Sequence, residues 1–133
     1  MWTTQFLVVS AVVELGAGLV FLAAPGVPMA LLVGPAPVPS AAIVIGRLTG
    51  AALLSLGAAC WWARHDTGSA ASNGLVRAML IYNAAAAVLL ASLGVRSVTS
   101  GLFLWGAAAL HGAMTIWCVS LLRYAGAPAT RGG

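Results

Sequence analysis

The stretch VVSAVVELGAGLVFL, residues 8–22, decides the fold. It is an apolar run interrupted in its middle by Glu14, and extended to 4–24 it has the roughly 20 residues that a helix needs to cross the hydrocarbon of a bilayer. A cleaved signal peptide would begin with basic residues and keep an unbroken apolar core. The leading MWTTQ has no basic side chain and Glu14 interrupts the apolar run, so a retained transmembrane helix is expected. That leaves a carboxyl group halfway along a segment with no water to solvate it.

The rest of the chain repeats the pattern. Of 133 residues 62% are hydrophobic and 6% charged, and the mean hydropathy is +1.04, far from the balance of a water-soluble domain. Further apolar windows cover 40–63, 75–94 and 101–122, giving an all-α chain read as one transmembrane domain, an antiparallel four-helix bundle. Five of the six prolines fall in 25–39. They deny that outer loop a continuous helix, while MALLVG within it is apolar enough to lie at the interface as a short cap on the bundle. The polar stretch RHDTGSAASNG reads as the second loop, VRSVTSG as a tight third one and 124–133 as a flexible tail.

All six basic residues are arginines. Arg64 and Arg77 flank the second loop and Arg123 and Arg131 follow the last helix, against Arg96 alone on the other side, so both termini are expected in the cytoplasm. Trp2, Trp61, Trp62, Trp117 and Tyr124 then form a cytoplasmic aromatic belt, with Trp105 at the opposite face. No run of like charge exists to track a nucleic-acid backbone. Cys60 and Cys118 lack the spacing of a disulfide framework or a zinc site. Small residues recur in GRLTG, 46–50, and AAAA, 84–87, surfaces that let helices approach closely within a chain, in a homo-oligomer or in a larger membrane complex.

Counting about 1.5 Å of rise per residue from the outer helix ends places Glu14, Asn83 and His111 at one depth near the bilayer midplane, with Arg47 within reach of it. An isolated carboxylate there must be neutral or paired, and Arg47 is the expected partner. Asn83, His111 and Tyr82 can take up the remaining donors and acceptors. Glu14 and His111 are the candidate catalytic acid–base pair, and Arg47, Asn83 and Tyr82 the candidate ligand-binding residues. No cofactor or metal is expected, because His111 and Cys118 stand about 10 Å apart along one helix and His65 about 15 Å away.

Two resemblances add to this. The run GRLTGAALLSLGAACWWAR with AMLIYNAAAAVLLASLG and LWGAAALHGAM resembles a group of small four-helix membrane proteins of bacteria. It covers most of the chain and implies a multi-pass protein of the bacterial inner membrane, without an activity. A glutamate midway along the first of four helices also resembles the small multidrug resistance transporters, over about one helix. It implies a carboxylate that exchanges protons for cationic cargo, from which Arg47 and His111 in the same layer and the proline-rich loop depart. The expected function is binding of a small apolar or amphipathic ligand in the polar layer, with acid–base catalysis such as isomerisation or cyclisation open to it. The alternatives are a non-catalytic accessory subunit and a small proton-coupled transporter.

Overall fold

The computed structural model describes residues 1–96 and 101–125. Among these there are five helices and no strand: α1 (Trp2–Ala23), α2 (Gly26–Val33), α3 (Ser40–Ala63), α4 (Ala70–Arg96) and α5 (Leu104–Ala125). Four of them, α1, α3, α4 and α5, are long and apolar enough to cross a membrane. Their outward side chains, among them Leu19, Leu48, Ile81, Leu89 and Ile116, are exposed and apolar. Surface of that kind is stable against lipid rather than water.

The helices pack as two pairs. α1 runs along α3 and α4 along α5, each at close backbone spacing, while the pairs meet one another more loosely. Glycine sets the first contact. Gly50 lies so close to α1 that a Cβ on it would stand 2.5 Å from the Leu22 nitrogen and 2.8 Å from the Gly18 oxygen. Gly18 approaches Leu54 and Gly57 approaches Leu15 in the same way. Residue order therefore runs in opposite directions in the two helices, and close packing of bare backbone supplies the dispersion contacts that hold helices together in lipid. The inward face of α3 reads Gly46, Gly50, Leu53, Gly57, Cys60, an alternation of four and three residues that keeps one stripe on its partner. Gly46 and Gly50, expected either within the chain or between protomers, thus serve the chain's own packing. Between the pairs larger side chains fill the space: Phe6, Leu7, Met79 and Met114 belong to one buried cluster, and the Phe6 and Trp117 rings meet edge to face at 5.5 Å.

The proline-rich connection contains α2, begun by Pro25, and lies against α3, where Met29 and Pro25 occupy the space that a Gly46 side chain would need. The other end of α2 is tied to the second pair. Gly101 N–H donates to Leu32 O at 3.0 Å and Phe103 N–H to Leu31 O at 3.1 Å. A Cβ on Gly101 would collide with the Leu31 carbonyl, which is backbone and cannot yield. Gly101→Ala is therefore expected to break both bonds and loosen α2, at a cost of about 1–3 kcal/mol. Amide hydrogen exchange checks it: the Gly101 and Phe103 positions should lose protection while the centre of α1 keeps its own.

α4 starts at Ala70, five residues before the expected window. The Ser69 hydroxyl accepts from the Ser72 N–H at 3.0 Å and donates to the Asp66 carboxylate at 2.8 Å, so a stretch that reads as loop by composition is a capped first turn. α5 spans Leu104–Ala125 rather than the expected 101–122, because Gly101 is engaged with α2. Most of the third loop and of the tail lies outside the described residues.

Candidate functional site

Glu14 sits on the inward stripe of α1, with Leu7, Ser10, Ala11 and Gly18. These positions are three or four apart and share one helical face. Its side chain is 2% exposed. Across the gap between the pairs, the polar side chain that approaches its carboxyl group is the phenol of Tyr82 on α4.

Beside Tyr82, Asn83 is 1% exposed and spans two helices. Its Nδ2–H donates to the Met79 carbonyl one turn back at 2.8 Å. Its Oδ1 faces His111 Nδ1 on α5 at 2.8 Å. A carbonyl can only accept, so the bond to Met79 fixes which end of the amide is nitrogen, and His111 Nδ1 must then carry the proton it donates to Oδ1. The imidazole is held as the Nδ1–H tautomer, which leaves Nε2 with a lone pair for proton transfer or ligand contact. The Tyr82 and His111 rings stand edge to face at 5.5 Å and 88°. Carboxyl, phenol, amide and imidazole thus form one layer contributed by α1, α4 and α5.

Arg47 is not in it. Leu15 faces Gly57 in the α1–α3 pair, so Glu14 is level with Ala58, and Arg47 lies eleven residues away, about 16 Å along the axis. It is exposed, next to Gly46 at the end of α3 that packs on α2. The expected Glu14–Arg47 pair is therefore not formed. Counting depth from Ser40 treats the helix start as a membrane boundary, whereas α3 runs on past the end of α1 to meet α2. The helix turns glycines, Leu53 and Cys60 inward and gives the layer no charge.

The structure adds buried polar groups that composition and depth counting do not single out. Ser10, one turn before Glu14 on the same face, is fully buried and its hydroxyl has no hydrogen-bond partner; the same holds for Ser72. For Ser10 the available signal is its spacing of four from Glu14. Cys60 and Cys118 are buried with free thiols. Among the described residues no three His, Cys, Asp or Glu side chains converge. A groove of about 860 Å3 lies between the start of α1 and the last turns of α5, bordered by Trp2, Ile116, Trp117 and Tyr124, and does not reach Glu14.

Fold and site together define a class: an all-helical chain with four helices able to cross a membrane and a buried acid–phenol–amide–imidazole layer between two helix pairs. The chain matches no family model, and neither a curated protein nor a solved structure matches it.

Proposed function

We propose that this chain is an antiparallel four-helix transmembrane bundle of the bacterial inner membrane, with both termini cytoplasmic, that binds a small amphipathic molecule at the Glu14 layer. The observation that carries the reading is a carboxyl group 2% exposed with a phenol and no cation beside it. Ionisable groups inside a membrane span are costly and serve mainly as ligand, ion or proton sites. Unspent polar capacity remains in Glu14, in His111 Nε2 and, one turn from Glu14, in the Ser10 hydroxyl.

The chemistry open to such a site is proton exchange. Glu14 and His111 Nε2, the two residues each beside Tyr82, are a candidate acid and base for moving a proton on a bound ligand. A second reading, a proton-coupled transporter, gains from the position of Arg47: with that guanidinium about 16 Å off, Glu14 is the only acidic residue in the layer and no arginine opposes a cationic cargo.

Native mass spectrometry of the protein extracted gently from its own membranes tests the reading. A reproducible small-molecule adduct is expected on the parent, absent in Glu14→Gln and weakened in His111→Ala, with all three proteins equally folded by circular dichroism. An adduct that persists unchanged in Glu14→Gln would remove the layer as its site. A proton flux in proteoliposomes on addition of a cationic amphiphile would favour transport over catalysis.

A further inference from the structure

Four of the chain's six sulfur atoms gather in one place. The buried cluster of Phe6, Leu7, Ala11, Cys60, Val76, Met79, Met114 and Cys118 contains both cysteines and two of the four methionines. Cys60, Met79 and Cys118 are fully buried and Met114 nearly so. They come from α3, α4 and α5.

Helix register puts three of them at one level. Gly57 faces Leu15, so Cys60, three residues on, is level with Val12. Tyr82 meets Glu14, so Met79, three residues earlier, is level with Ala11. His111 is bonded to Asn83, so Met114, three residues later, falls level with Met79 and Leu80. One thiol and two thioethers thus lie in a layer about 3–5 Å from the Glu14 layer. Cys118 stands one turn beyond Met114. The buried α1 residue at this level is Ala11, and Ser10, whose buried hydroxyl has no partner, lies next to it toward Cys118.

Thioether and thiol sulfur are soft donors that suit soft cations such as Cu(I) and leave hard calcium and magnesium to oxygen ligands. Neutral Met ligands suit an interior where each added charge is expensive. Three donors from three different helices, with a fourth one turn away, also meet the need for a ligand set that the unfolded chain does not hold together. We propose that Cys60, Met79 and Met114, with Cys118 as the neighbouring fourth donor, form a binding site for a soft monovalent cation, Cu(I) or its redox-inert analogue Ag(I). Binding replaces the Cys60 thiol proton by a sulfur–metal bond. The proton is released to the buffer, so metal charge and proton exchange without a change of oxidation state. Its donors are other residues than those of the ligand layer, which lies one turn or less away along the helices.

Ag(I) is the probe of choice, titrated into the purified full-length protein in detergent in competition with a soluble thiol chelator. One ion per chain is expected. Met79→Leu and Met114→Leu, which conserve volume, should each weaken binding about tenfold, and Cys60→Ser by on the order of a hundredfold. Met29→Leu, altering a methionine outside the cluster, should leave it unchanged. Ag(I) bound equally well by the Met79→Leu/Met114→Leu double variant would be simple thiol capture and would overturn the proposal, as would a stoichiometry of two with Cys60 and Cys118 acting independently. X-ray absorption of the Cu(I) form gives a second readout: three or four sulfur neighbours are expected, and a two-sulfur linear site without thioether would also defeat it.

Discussion

Gly50→Leu is expected to separate α1 from α3 and to cost about 3 kcal/mol, the upper end of overpacking penalties. The reason lies in what a side chain would meet. The nearest atoms to a Cβ at Gly50 are the Leu22 nitrogen at 2.5 Å, the Gly18 oxygen at 2.8 Å and the Leu22 Cα at 3.0 Å, all backbone. A flexible side chain could swing aside, but a helix backbone moves only as a body. Even Gly50→Ala should therefore destabilise, by about 1–3 kcal/mol. Gly16→Ala is the matched control: on the same helix pair nothing stands within 4 Å of the added methyl. It should change stability by less than about 1 kcal/mol, in the stabilising direction set by helix propensity. Detergent-to-SDS unfolding of the three proteins, monitored by tryptophan fluorescence, measures the series. Equal midpoints for Gly50→Ala and Gly16→Ala would mean that α1 and α3 do not pack through Gly50.

The apolar helices are legible in the sequence because their signal is a sum over many residues. Each of the four windows contains enough Leu, Val, Ala and Ile that no single side chain decides it, and the structure differs only at the ends. Those ends depend on single contacts: the Ser69 hydroxyl starts α4 five residues early, and the engagement of Gly101 with α2 delays α5 to Leu104. The grouping of Asn83 with His111 is legible for a different reason, since few residues separate the two helices and so fix their mutual level. Arg47 is misplaced by the same counting because α1 and α3 are joined by a long connection that contains another helix. Nothing in the sequence says how far α3 overshoots α1; that offset is set by the Gly50–Leu22 and Gly57–Leu15 contacts. A level error of a few turns changes the whole electrostatic reading, from a paired glutamate to one with a phenol alone.

That solitary carboxyl leads to the second large effect. Glu14→Leu is expected to raise stability by about 1–2 kcal/mol while abolishing ligand binding. A carboxyl buried without a cation forfeits its hydration and recovers only the contact with Tyr82, so an apolar side chain of similar size removes a cost and adds packing. The gain is reduced because the Tyr82 hydroxyl then faces an apolar side chain, and Glu14→Leu/Tyr82→Phe should recover about 1 kcal/mol of it. Asn83→Leu should go the other way. It leaves the His111 Nδ1–H unpaired and the Met79 carbonyl without its second donor, a loss on the order of 1 kcal/mol. The opposite signs separate the roles of two residues in one layer: Asn83 orients the imidazole and holds α4 to α5, whereas Glu14 is kept at the expense of stability, as functional residues commonly are. SDS unfolding midpoints of these variants and the parent give the signs directly. Should Glu14→Leu destabilise by as much as Asn83→Leu, Glu14 would be a packing element that fixes helix register, and the bound molecule would have to be sought elsewhere, first in the groove between Trp2 and Trp117.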